Sequence, residues 1–232
     1  MKKLMFYAVL LLCLAVMPVG VQAYTIDNDP STAIGYPTYA SYGINVTNFT
    51  PGSNSGAILI DLFTNYPPTG DTVGSWTTRP ADLFITETYY GVQYQWAIPT
   101  VTHDGFNAGY MYAVGTYNVS DYFDPSGGTG YIYNHNVPVS IATLGTNYSG
   151  TQSFAGSISY IGPSGSMPYY EYSINTGIYE DDPNGQFSFL WGTATCANDV
   201  VTGQVPVPEP TTMLLLGLGL VGLAGIRRKF KS

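Results

Sequence analysis

The sequence predicts an all-β fold, an antiparallel two-sheet sandwich of jelly-roll type, with a β-barrel as the alternative. Short runs rich in aromatic and β-branched residues follow one another from Gly56 onwards, and such residues favour strands. Clusters of Gly, Pro, Asn and Asp separate the runs, as turns require. No segment before residue 211 shows a sustained helical period, so the crossover helices of a parallel sheet are not expected.

The predicted body spans residues 24–196 and contains eight or nine strands. Residues 24–54 are interpreted as an irregular entry with one weak strand around Gly43–Phe49. In the last run Phe187, Phe189 and Trp191 alternate with other residues, so they share one face and are expected in the core. The other strand-like runs are GAILIDLFTNY, ADLFITETYY, VQYQWAIPTV, AGYMYAVGTYNV, GYIYNHNVPVSIATLG, FAGSISYIG and YYEYSIN.

Residues 1–23 have the features of a secretory signal peptide. Lys2 and Lys3 precede an apolar run over residues 4–17, and Val-Gln-Ala supplies small residues before the cleavage point. We predict that signal peptidase cuts between Ala23 and Tyr24.

The exported body is strongly acidic. All fifteen Asp and Glu residues lie between Asp27 and Glu209, where Arg79 is the one basic residue, so this region carries a net charge of −14 with neutral histidines. Such a surface repels polyanions, so nucleic acid is not expected as a partner, whereas divalent cations and neutral glycans remain candidates. Leader removal leaves Cys196 as the one cysteine, so no intramolecular disulfide is expected.

The C-terminal segment has the order of a membrane anchor. Residues 197–207 are predicted to be a linker, followed by a helix over residues 211–226 that is apolar on every face. That helix measures about 24 Å at 1.5 Å per residue, against a hydrocarbon core of about 30 Å. By length alone this is a marginal span, for which a buried core helix is the alternative, but the lack of a polar face and the basic end favour a membrane anchor. The basic residues that close it on the cytoplasmic side are Arg227, Arg228, Lys229 and Lys231.

The tail, residues 208–232, resembles the PEP-CTERM sorting signal of Gram-negative envelope proteins. The residues that carry the likeness are Pro208, Glu209 and Pro210, the short Gly/Leu-rich helix and the terminal basic cluster. The resemblance implies processing by an exosortase and an association with extracellular polysaccharide. It implies an inner-membrane-anchored precursor, followed by release to the cell envelope or the extracellular matrix. The body segments DLFIT, HDG, YNHNVPV and WGTATCAND are similar to other exported PEP-CTERM proteins that have no assigned activity.

No motif in the body predicts catalysis, a cofactor or a metal site. His103 and His135 are the two histidines, and neither lies in a nucleophile motif. Residues 180–185, EDDPNG, place three carboxylates in one turn. Oxygen ligands of this kind suit Ca²⁺, but the spacing departs from the calcium-loop pattern, so a solvated hairpin turn is the prediction.

The leading functional hypothesis is a non-catalytic structural or adhesive role in the cell envelope or polysaccharide matrix. A carbohydrate-binding module that uses exposed aromatic residues and optionally calcium is the first alternative, and a secreted glycan hydrolase is the second. A binding module should show an exposed aromatic row. A hydrolase should show a cleft with paired carboxylates, and a matrix protein should show no compact pocket.

Overall fold

A computed structural model describes the body of the chain. The described residues are 23–29, 38–49, 56–73, 76–120, 136–146, 153–164, 169–179, 181–182, 184–195, 197 and 199–205. All their regular structure is β, and every strand pair is antiparallel, which confirms the predicted fold class. None of these residues forms a helix with the length and apolar character that a membrane crossing requires.

Two sheets make up the body. Sheet 1 has the order β1-β2-β3-β12-β11, and sheet 2 has the order β10-β8-β7-β6-β13-β14 with β9 paired to β8. A short hairpin, β4 with β5, stands apart. The strands are β1 Tyr24–Asp27, β2 Ser41–Thr47, β3 Leu59–Thr64, β4 Asp71–Val73, β5 Trp76–Thr78, β6 Leu83–Tyr89, β7 Val92–Ile98, β8 Met111–Val119, β9 Pro138–Leu144, β10 Ser153–Phe154, β11 Ser157–Ile161, β12 Tyr170–Asn175, β13 Gln186–Gly192 and β14 Val200–Val205.

The main core lies between the two sheets. Ile44, Ile60 and Tyr172 contribute from sheet 1, and Trp96 and Trp191 from sheet 2, all of them fully buried. The two sheets therefore pack face to face around this core, in the sandwich-like arrangement expected from the sequence. Within β13, Phe187 and Phe189 are also buried in this core, as their alternation predicts.

The connectivity differs from the predicted jelly roll. In sheet 2 the order β13-β6-β7-β8 is of the Greek-key kind. In sheet 1, however, β1, β2 and β3 follow one another as a meander, so the two Greek keys of a jelly roll are not both present.

The predicted linker at residues 197–207 is wrong over most of its length. Val200–Val205 form β14, which pairs with β13 along its whole length. Just before it, the buried Asp199 carboxylate accepts hydrogen bonds from the Ser41 backbone amide at 2.7 Å and from Asn28 Nδ2 at 3.0 Å. These contacts join the end of the body to sheet 1, so this segment belongs to the sandwich.

The entry segment is likewise more regular than predicted. Tyr24–Asp27 form β1, which pairs with β2 in register from Tyr24 opposite Val46 to Asp27 opposite Gly43. Because β1 begins at Tyr24, a cut after Ala23 would leave this strand whole, so the predicted cleavage point is compatible with the fold.

Candidate functional site

The outer face of sheet 2 carries an open groove of about 460 Å³. Its floor is formed by β7, β6, β13 and β14, whose outward side chains alternate with the buried core residues. Its wall is formed by the far half of β8 and by β9, which supply Tyr117 and Pro138. We call this feature the outer-face groove.

A row of uncharged polar side chains crosses the floor of the outer-face groove. The strand register places Gln95 opposite Thr86, Thr86 opposite Ser188, and Ser188 opposite Gln204. All four line the groove, and Gln95 and Gln204 at its two ends are exposed. Because paired residues on neighbouring strands point to the same face, the four side chains form one continuous line.

The next row toward the wall is more apolar. Ala97 lies opposite Phe84, Phe84 opposite Leu190, and Leu190 opposite Thr202. The Phe84 ring meets the ring of Tyr117 edge to face at a centroid distance of 5.9 Å. Tyr117 is 44% exposed, so one part of this ring packs on the sheet while another part faces the groove.

A second, smaller core holds the wall on the sheet. Phe84, Ala97, Tyr112, Val114 and Ile141 bury one another on the outer face of sheet 2. The apolar contacts bring β9 over β6, and the wall is thereby fixed relative to the floor.

A buried ion pair lies under the same wall. His103 Nε2 is 2.8 Å and 3.0 Å from the two carboxylate oxygens of Asp82, and both side chains are almost completely buried. The Asp82 carboxylate also accepts the Ile141 backbone amide at 2.7 Å. On the other side of the ring, His103 Nδ1 is 3.1 Å from the exposed Asp104, which also contacts Arg79. The Asp82–His103 pair therefore links β9 to sheet 2.

The surroundings of His103 act on its pKa in opposite directions. Burial by itself disfavours the imidazolium, but the hydrogen bond and negative charge of Asp82 outweigh burial and raise the pKa of His103 above its ordinary value. The same ring and the Arg79 guanidinium lower the pKa of Asp104. The His103–Phe106 bridge closes a turn at His103-Asp104-Gly105, and the histidine of this turn stabilises the fold through Asp82.

A separate pocket of about 300 Å³ lies at one end of the core and contains carboxylates. Glu87, Tyr89, Trp96, Tyr179 and Asp181 are among its lining residues. Trp96 Nε1 donates to Glu87 Oε2 at 2.6 Å, and the Tyr89 hydroxyl donates to Asp181 at 2.8 Å. Burial raises the pKa of Glu87, and the charge of Asp181 adds to that rise, whereas the Trp96 hydrogen bond opposes it. We call this feature the Glu87 pocket.

The acidic turn at residues 180–185 is only partly as predicted. Asp181 is exposed, but Asp182 is buried. The Asp182 carboxylate accepts the backbone amides of Tyr90 and Asn184, so it caps two turns from the inside. Among the described residues, no group of three or more His, Cys, Asp or Glu side chains is arranged to hold a metal ion.

Other predicted site residues lie outside the described residues. These are the sorting residues Pro208, Glu209 and Pro210, the basic residues Arg227, Arg228, Lys229 and Lys231, the helix over 211–226, and the candidates His135, Glu180 and Cys196.

Sequence reasoning missed the outer-face groove. Gln95, Thr86 and Ser188 each occupy the outward position of an alternating strand, a pattern visible in the sequence. Which strands are neighbours, and in which register, is set by pairings between distant segments, and these determine that the residues form one row.

The comparisons with known proteins identify the tail. The family model described as the PEP-CTERM protein-sorting motif matches residues 206–229, which confirms the resemblance seen in the sequence. The chain therefore carries a PEP-CTERM sorting motif, and the motif implies an exported protein that is membrane-anchored before sorting and processed by an exosortase. Neither the search of curated proteins nor the search of solved structures found a match.

Proposed function

We propose that this protein is an exosortase-sorted component of the cell envelope or extracellular polysaccharide matrix, with a structural or adhesive role and no catalysis of its own. The observation that carries the proposal is the junction between body and tail. The last strand, β14, ends at Val205, and the matched sorting motif begins at residue 206. Cleavage within the motif would thus release a body with every described strand in place.

The packing of the body supports a structural role. Two of its buried acidic groups, Asp82 and Asp199, are engaged by backbone amides or by His103. Such fully satisfied buried contacts stabilise and rigidify a fold. The acidic surface keeps the released protein soluble among anionic envelope components.

Sorting is tested with Glu209→Ala in the native host. Glu209 is the one ionised side chain between Asp199 and Arg227, so we infer that it is a recognition contact for the processing enzyme. The variant is expected to remain in the membrane fraction at precursor size, while Thr212→Ala, three positions further on, is processed and released. Release of both variants at the wild-type level would contradict the proposed recognition.

The adhesive role is tested by location after release. Wild-type protein is expected in the matrix fraction of cultured cells. A variant that keeps the signal peptide and the body but lacks the tail is expected there only if the leader alone is sufficient for export. Protein that is fully released into the medium and absent from washed matrix would argue against a matrix role.

A second candidate function, glycan hydrolysis, is favoured by the Glu87 pocket. It places Glu87, whose raised pKa suits a general acid, in one pocket with Asp181 and with tyrosine rings. The test is reducing-end release from neutral oligosaccharides by the purified chain, compared with Glu87→Gln. Glu171→Gln is the matched control, because burial also raises the pKa of Glu171 but it lies on β12, away from the pocket. Absence of turnover in the wild type would dismiss the hydrolase.

A further inference from the structure

We propose that the outer-face groove binds an uncharged polysaccharide chain lying across β7, β6, β13 and β14. The inference deepens the adhesive role and rests on that proposed function for the source of the ligand in the extracellular matrix. Binding itself is a property of the body, so it is tested on purified protein, separately from sorting.

The polar side chains of the groove floor have unused hydrogen-bonding capacity. Gln95, Thr86, Ser188 and Gln204 form the polar row of the groove floor, and their side chains make no hydrogen bond to any described residue. Two amides and two hydroxyls each offer both donors and acceptors. Sugar hydroxyls also donate and accept, so such a row matches a carbohydrate better than a ligand that only donates or only accepts.

The described lining of the outer-face groove is uncharged, unlike the body as a whole. Among the described residues, the lining of the outer-face groove contains no Asp, Glu, Lys, Arg or His, although residues 27–209 carry a net charge of −14. A divalent cation would find no carboxylate ligand in the groove, and an anionic polymer would be repelled by the surrounding acidic surface. The described lining therefore favours an uncharged ligand.

The length of the polar row and its apolar border suit an extended sugar chain. Four adjacent strands are about 4.8 Å apart, so the polar row is about 14 Å long, which accommodates an oligosaccharide of a few residues. Leu190 and the partly exposed Tyr117 ring border the row on its wall side, and the buried Phe84 packs against the Tyr117 ring. The C–H face of a sugar ring can pack on this apolar strip while its hydroxyls meet the polar row.

The experiment uses the full chain purified in detergent and a panel of soluble oligosaccharides. The neutral probes are β-glucan, mannan, galactan and xylan fragments of about four to six residues, long enough to cover the polar row of about 14 Å, and the anionic probe is a polyuronate of the same length. Calorimetry is expected to show saturable binding of at least one neutral probe and none of the polyuronate. Failure of all four neutral probes to bind, or tighter binding of the polyuronate, would overturn the proposal.

Substitutions place the ligand in the groove. Gln95→Ala and Gln204→Ala each remove one side chain's hydrogen bonds and are expected to weaken binding about two- to tenfold. Gln93→Ala is the matched control, because Gln93 is exposed on the same face of β7, two residues away, but does not line the groove. Its affinity should stay within about twofold of the wild type.

Thermal unfolding and sedimentation separate a loss of glycan binding from unfolding and from self-association. Thermal midpoints should be the same for all three variants, since these side chains are exposed, so lost binding cannot be ascribed to unfolding. Sedimentation without glycan should show no change in oligomeric state on Gln95→Ala. A self-association that this substitution abolishes, in a protein that ignores every neutral probe, would assign the groove to a second copy of the chain and overturn the glycan assignment.

Discussion

Replacing Asp82 by asparagine removes the charge that holds His103 and β9 on the outer face of sheet 2. The Asp82 carboxylate contacts His103 Nε2 at 2.8 Å and the Ile141 amide at 2.7 Å. Asparagine keeps the volume of the side chain but replaces one acceptor oxygen by an amide NH₂ group. That group would face the donors His103 Nε2 or the Ile141 amide. His103, 3% exposed by its side chain, would then lose its buried counter-charge.

The expected cost follows from burial. Breaking a buried charge pair by neutralising one partner costs about 3–5 kcal/mol, and we expect the lower end because asparagine still fills the space. For a domain of this size about 3 kcal/mol corresponds to a loss of about 6–12 °C in Tm. Asp104→Asn is the matched control: its carboxylate contacts the same ring but is 65% exposed, so it should cost at most about 1 kcal/mol.

The pH dependence gives a second readout of the same pair. Because the folded pKa of His103 is raised, its stabilising contribution is fully present below the unfolded pKa of about 6.5. It is lost as the pH rises through the folded value. Urea unfolding should therefore show a larger stability gap between wild type and Asp82→Asn at about pH 6 than at about pH 9. A variant as stable as the wild type, or a gap that does not change with pH, would refute an ionised buried pair.

Three further predictions concern the backbone, the acidic turn and the thiol. Gly43→Ala would bring a Cβ to 2.2 Å from a backbone carbonyl oxygen of β1 at a φ of +137°, so urea unfolding should show a loss of about 3 kcal/mol. Gly91→Ala, at a φ of +77° in open space, should lose about 1 kcal/mol, and equal losses would contradict the clash. Calorimetry should find weak or no Ca²⁺ binding, because the Asp182 oxygens already accept backbone amides; micromolar affinity that Asp181→Asn abolishes would be the contrary result. Thiol labelling of the denatured mature chain should find Cys196 as one free group, and a quantitative disulfide-linked dimer on a non-reducing gel would contradict it.

The strands that alternate clearly could be predicted from the sequence, and the weaker ones could not. The inward face of β13 presents Phe187, Phe189 and Trp191, a pattern that a single sequence displays. On β14 the inward series is Val201, Gly203 and Val205, and its middle residue has no side chain.

The reason for that interruption lies in another strand. A Cβ at Gly203 would lie 2.6 Å from the Ile26 side chain, so Ile26 of β1 occupies the space that Gly203 leaves. The two segments that sequence reasoning missed thus complete each other. The packing of β1 against β14 is a tertiary contact that local propensity does not encode.

The Asp82–His103 pair under the groove wall could not be predicted from the sequence either, because it too depends on contacts between distant segments. Nothing in the sequence around His103 indicates its buried partner, which is Asp82, 21 positions away. The sorting motif of the tail, by contrast, could be predicted because its signal is local. A prolyl segment, an apolar run and a basic end occur consecutively.

Mass spectrometry of the mature protein from the native host tests the central claim, that the sandwich is an exported body released by cleavage in its sorting motif. We predict an N-terminus at Tyr24 and a C-terminus near Pro208–Pro210, which keeps β1 and β14 whole. An extracellular chain that still ends in Ser232 would contradict release by sorting, and one that ends before Val200 would contradict the placement of β14 in the body.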